Sequence, residues 1–152
     1  MSEGKRPGGL TAMAVLNFIF SGLNILSLLG MAVMFTFLKM IPTDEMDANT
    51  RTQIEAMQDM GLPMLLFILA LTAAAAVLLL LSGIGYIKQK KVMGRTLGNI
   101  YAMLAIISGV VTGFLFDPEL GGGFNIGAMV GLIYPILTLF LLNMTFKDDL
   151  AN

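Results

Sequence analysis

The sequence predicts an all-α membrane protein: an antiparallel four-helix transmembrane bundle with a short amphipathic helix outside the cytoplasm. Three observations predict it. Four apolar runs, at approximately Leu10–Leu38, Leu62–Ile87, Leu97–Phe116 and Phe124–Phe146, occupy most of the 152 residues. Each reaches or exceeds the roughly 20 residues that a helix needs to cross about 30 Å of hydrocarbon. Lipid offers no hydrogen bonds to an exposed backbone, so each run must close its own as a helix. Hydrophobic residues make up 57% of the chain and charged residues 12%, far below the roughly 25% charge of a soluble domain. The charges are also sorted by position. Residues 1–152 therefore read as one four-span transmembrane domain.

The first run follows Lys5 and Arg6, which resembles the basic start of a secretory signal. Its apolar length far exceeds the roughly 7–15 residues of a signal core, so a retained signal-anchor helix is expected. It carries Asn17, Ser21 and Asn24 at spacings of four and three, which places them on one face. An amide in hydrocarbon needs a partner, so this intramembrane polar stripe should point inward. It serves either as interhelical hydrogen bonding or as a polar lining for a small ligand.

The connection that follows holds Pro42 and Thr43 as a helix start and Gly61–Pro63 as a stop. Met46, Thr50, Ile54 and Met57 recur at helical spacing, so a short amphipathic helix is expected over 43–60 on the outer face. It would cap the helix ends or dock another protein. Met31, Met34 and Met40 gather near one side of this connection and Met57, Met60 and Met64 near the other. Thioethers select Cu(I), but flexible side chains filling gaps account for them as well, and no metal site is expected.

The second run is rich in small residues from Ala70 to Ala76. It ends in Ser82–Gly83–Ile84–Gly85–Tyr86, where Ser82 mimics a glycine-flanked nucleophile. Without a histidine, and near a lipid-exposed helix end, Ser82 is expected to serve packing. A tight basic turn, Lys88 to Gly94, leads to the third run. Lys88, Lys90, Lys91 and Arg95 act there either as a topological anchor or as a contact for anionic lipid headgroups.

The third run has Ala105, Gly109 and Gly113 at four-residue spacing. The fourth has Gly123, Gly127 and Gly131. Such rows let backbones approach, and here they predict helix packing within the chain or a homo-oligomer seam. Asp117–Pro118 and Gly121–Gly123 make the connection between them a flexible turn. Pro135 removes a backbone donor and should kink the last helix. Short connections force neighbouring helices antiparallel.

Orientation follows from basic residues near the helix ends. Lys5, Arg6, Lys88, Lys90, Lys91, Arg95 and Lys147 fall on one side and only Lys39 and Arg51 on the other, which puts both termini in the cytoplasm.

The chain contains no cysteine and no histidine, so disulfides, thiol chemistry and the commonest general base are absent. No charged residue lies in the middle of a run, which argues against ion-coupled pumps and proton channels. No catalytic residues and no cofactor are expected, and no aromatic-interleaved basic surface suggests nucleic acid. The leading function is a non-enzymatic structural, scaffolding or accessory membrane protein, with the bilayer, other membrane proteins or a second copy as partners. The alternative is a small transporter or channel for an uncharged or lipophilic solute, using the Asn17 stripe with Tyr134, Pro135 and Thr138 facing it.

The stretches RPGGLTAMAVLN (6–17) and GYIKQKKVMGRTLGNIYA (85–102) resemble small uncharacterised bacterial four-span inner-membrane proteins. That resemblance implies a bacterial plasma membrane and four spans, and no activity.

Overall fold

The computed structural model describes residues 7–38, 40, 42, 46–59, 62–115 and 126–150. Among these there is no strand. The order is α1 (Gly8–Leu38), α2 (Ala48–Asp59), α3 (Leu62–Ile87), α4 (Leu97–Leu115) and α5 (Ile126–Phe140). A π-helical turn, Lys91–Thr96, leads into α4, and a second, Leu141–Thr145, continues α5. The segments Gly8–Phe37, Pro63–Ile87 and Lys91–Val111 are long and apolar enough to cross a membrane, the pattern of a membrane protein. The apolar part of α5 with its π turn, Met129–Thr145, is shorter. Pro63 sits at the second position of α3, where its missing N–H removes no helical bond.

Contacts fix the directions. Asn17 meets Ser82 and Ser21 meets the carbonyl of Ala76. The α1 number rises as the α3 number falls, so these helices, the most extensively packed pair, are antiparallel. Tyr86 lies against Gly98, and Leu79 packs with Tyr101 and Ala102, which makes α4 antiparallel to α3. Asn99 pairs with Asn143 and Gly109 faces Leu132, which makes α5 antiparallel to α4.

One buried cluster closes the end where α1 starts and α5 finishes. It comprises Leu10, Met13, Ala14, Tyr86, Leu142, Phe146 and Leu150. A second, around Leu79, Tyr101 and Ala102, lies further in and is flanked by Phe20, Ala105 and Tyr134. The start of α1, the Lys88–Arg95 turn and Lys147 therefore share one end of the molecule.

One connection differs from expectation. The tight basic turn does not extend over the seven residues to Gly94: only Lys88–Lys90 lie outside helix. Gln89 closes it at φ 51, in the left-handed region that side chains other than glycine enter at a cost. The Lys90 amide donates to the Gly85 carbonyl at 3.0 Å, and the Gly94 amide to the Lys90 carbonyl at 2.7 Å. Helical structure resumes at Lys91 because the Gly85 and Gly94 backbones touch, which leaves no room for a longer loop.

The helix α2 starts at Ala48, with Asp47 as its cap, and the expected start at Thr43 lies outside the described residues. The Asp47 carboxylate accepts the Thr50 amide at 2.9 Å and the Thr50 hydroxyl at 2.8 Å, satisfying a donor of the first turn. Those two bonds hold the Asp47 carboxyl below its ordinary value. A folded pKa below the unfolded one contributes stability above the unfolded value, near 3.9, and that contribution vanishes as pH falls through the lowered folded pKa. Acidification through this window should therefore fray the start of α2. Asp47→Ala should fray it at neutral pH and abolish the pH response, read as hydrogen exchange at the Thr50 and Arg51 amides. Equal protection in both proteins at pH 6 would remove the cap assignment.

Candidate functional site

The polar stripe of α1 divides into two kinds of residue. Asn17 and Ser21 are buried at 1% and 2% exposure. Asn17 Nδ2 donates to Ser82 Oγ at 2.7 Å, and Asn17 Oδ1 accepts from the Tyr134 hydroxyl. Ser82 Oγ in turn donates to the Leu79 carbonyl at 3.1 Å. Ser21 Oγ donates to the Ala76 carbonyl at 2.8 Å. Asn24 turns back to the Phe20 carbonyl of its own helix at 2.8 Å and is only half-buried. Ser82 is therefore not at a lipid-exposed position. It is fully buried, because Gly83 lets α1 approach until Asn17 and Phe18 lie against its Cα.

Tyr134 carries the network to α5. Its ring packs on Phe20, with centroids 4.7 Å apart, and on Tyr101 at 6.4 Å. One helical turn beyond Tyr134, the buried Thr138 hydroxyl lies near the Tyr134 hydroxyl, and the buried Tyr86 hydroxyl lies near Ser82 and Asn17, but among the described residues neither makes a well-formed hydrogen bond. Tyr86 is pinned by Gly98, where any Cβ would strike its hydroxyl. The arrangement is a chain of neutral donors and acceptors joining α1, α3 and α5. It holds no side chain charged at neutral pH, so it can orient or bind a hydrogen-bonding molecule but supplies no ionic counter-charge.

A second polar group lies at the end where the basic turn sits. Asn143 Oδ1 accepts from Arg95 Nε at 3.4 Å, Arg95 Nη2 at 3.3 Å and Asn99 Nδ2 at 3.2 Å. Asn143 Nδ2 donates to Asn99 Oδ1 at 2.9 Å and to the Leu139 carbonyl at 2.8 Å. Sequence reading named Arg95 and passed over both asparagines. Their signal was the one that singled out Asn17: an amide inside an apolar run. Lys88, Lys90 and Lys91 are exposed around this group.

The small-residue rows are placed unevenly. Gly109 faces the end of the Leu132 side chain across the α4–α5 contact, and Ala105 packs beside the inner cluster. Gly131 is exposed and has open space where a Cβ would stand. Gly113 and Gly127 lie within α4 and α5, with side-chain surroundings outside the described residues, as is Gly123 altogether. The Asp117–Gly123 connection also falls outside them. Among the described glycines the tightest contact is Gly85 on Gly94, which no periodic row announces. Of the methionines, Met34 and Met40 are exposed and Met31 and Met64 half-buried, while Met60 lies outside the described residues, as does the side chain of Met57. Among the described residues, no group of three or more His, Asp or Glu side chains could hold a metal ion.

Compared with models of known families, with curated proteins and with solved structures, the chain matches none.

Proposed function

We propose that this protein is a non-enzymatic multi-pass membrane protein of structural, scaffolding or accessory type. It would be a four-span bundle in a bacterial plasma membrane with both termini cytoplasmic. Three spans rest on length and composition. The fourth is supported by the unbroken helical path from Ile126 through Thr145, whose length is close to the roughly 30 Å of a bilayer core. The bacterial setting follows the resemblance of residues 6–17 and 85–102, and the orientation follows the basic residues gathered at one end.

The observation that carries the functional reading is the outward half of α1. Leu10, Met13, Ala14, Asn17 and Ser21 are buried, but no described residue of α1 beyond Ser21 is. Ile25, Leu26, Leu29, Val33, Met34 and Phe37 are all exposed. Asn24, Leu28, Met31 and Phe35 keep one face of this half partly covered, but its opposite face has no close partner among the described residues, and lateral association would cover it by close packing.

The absence of cysteine allows a direct test. Single cysteines at Leu29 and Val33 should give cross-linked products in native membranes, while cysteines at the equally exposed Met103 and Ile107 of α4 should give few. If α1 cross-links no better than α4, lipid alone covers it and the reading is lost.

The buried, weakly bonded hydroxyls of Tyr86 and Thr138 beside the Asn17 network favour a second reading, passage of a small uncharged solute along that network. Permeation of neutral solutes into proteoliposomes that is unchanged by Tyr86→Phe and Thr138→Val would eliminate it.

A further inference from the structure

We propose that Arg95, seated between Asn99 and Asn143 at the membrane boundary, binds the phosphate of an anionic phospholipid. The proposal needs the chain to span a bilayer, but it stands independently of a lateral partner on α1.

Arg95 lies one turn inside the apolar segment Lys91–Val111, not beyond its end. It is half-buried. A guanidinium at this depth loses much of its hydration and stays charged. Inside the protein it finds only amide oxygen: Nε and Nη2 both point at Asn143 Oδ1. Among the described residues, no carboxylate comes within ion-pair distance of Arg95, although Asp148 and Asp149 follow Lys147 at the same end of the chain. The amides therefore fix the direction of the guanidinium without neutralising it, and among the described residues they leave Nη1 and the second Nη2 hydrogen unused. Two parallel N–H donors in a fixed plane match a phosphate.

The clamp is itself held from both sides. Asn99 and Asn143 exchange hydrogen bonds, and Asn143 is tied to the Leu139 carbonyl. The π-helical turns place these groups: one brings Arg95 into line with Asn99 one turn later, and the other carries Asn143. Lys91 stands one turn before Arg95 and Lys147 four residues beyond Asn143, both exposed; with Lys88 and Lys90 they outnumber Asp148 and Asp149 at this end, so its net charge is positive. The phosphate of a lipid in the adjoining leaflet is the anion available at this depth.

The test uses the full chain in zwitterionic detergent micelles, titrated with short-chain phosphatidylglycerol, with phosphatidylcholine and with inorganic phosphate, and bound lipid counted by native mass spectrometry. Phosphatidylglycerol should bind and phosphatidylcholine should not. Arg95→Gln should weaken phosphatidylglycerol binding about tenfold, and Arg95→Lys by less. Asn143→Asp places a carboxylate against the guanidinium at the loss of the two bonds that Nδ2 donates, so it should lose lipid to a similar degree, with the fold checked by helicity. That variant decides the matter if Arg95→Gln fails to fold. Lys90→Gln should change binding less than about twofold. The proposal is overturned if Asn143→Asp binds lipid like the unaltered protein, if Lys90→Gln is as damaging as Arg95→Gln, or if inorganic phosphate displaces the lipid at equal concentration.

Discussion

Gly85→Ala should destabilise this protein by about 2–3 kcal/mol, more than a methyl added at any other described glycine. A Cβ built at Gly85 lands on the backbone of Met93 and Gly94, which face it across the turn. Backbone cannot swing aside as a side chain does. The same closeness lets the Lys90 amide reach the Gly85 carbonyl, so separating the two strands of the turn also breaks that bond. Other glycines give a graded comparison. At Gly98 a methyl would meet the Tyr86 hydroxyl and the end of Leu142, both side-chain atoms, and an intermediate loss is expected. At Gly109 it would meet only Leu132 Cδ2 at 3.0 Å, and a rotamer change relieves it. At Gly131 it enters open space. There alanine should stabilise α5 by about 0.5–1 kcal/mol through backbone entropy. Unfolding in mixed micelles, followed by loss of helicity, orders the four variants. Gly85→Ala proving as stable as Gly131→Ala would mean that the α3–α4 junction is not the close contact described here.

That ranking inverts what the sequence suggests about glycine, and the reason is geometric. Rows such as Ala105–Gly109–Gly113 are visible because a straight helix repeats every few residues along one face. Gly85 and Gly94 meet through a reversal of the chain, and nothing periodic marks a reversal. The long apolar segments were legible for the opposite reason: span length is a local property, and α3 occupies the expected Leu62–Ile87. Asp47 was passed over as the cap of α2 because proline at 42 is a strong punctuation signal, whereas the cap depends on where the Thr50 amide points. Asn17 could be recognised as a residue in need of a partner, but not which partner. Ser82 lies 65 positions away and Tyr134 lies 117 away. Asn99 and Asn143 were overlooked because each is a lone amide near the end of a run. Only the register of α5 against α4 makes them a pair.

Asn17→Leu should lower stability by about 2 kcal/mol, despite replacing an amide with a more lipophilic side chain of similar volume. In lipid, removing a polar group gains little, because hydrocarbon already surrounds the separated helices. Two interhelical bonds are lost, each worth roughly 0.6–1.7 kcal/mol. Tyr134→Phe keeps the ring against Phe20 and Tyr101 and removes only the hydroxyl, so about 1 kcal/mol is expected. The double variant should be milder than the sum by about 0.6–1 kcal/mol, because each single change already breaks the bond they share. Ser82→Ala, which also deletes a bond to Asn17, should show its own coupling to Asn17→Leu and little to Tyr134→Phe. The backbones of α1 and α5 stay apart over most of their length, so beyond the apolar cluster of Leu10, Met13, Leu142 and Phe146 at one end, Tyr134 is the polar bridge described between them. Its loss should therefore raise hydrogen exchange in α5 more than in α3, which keeps the Ser21 bond to Ala76. Strict additivity of Asn17→Leu and Tyr134→Phe would show that the bridge contributes nothing to holding α5 against α1. The buried amide would then serve the α1–α3 pair alone.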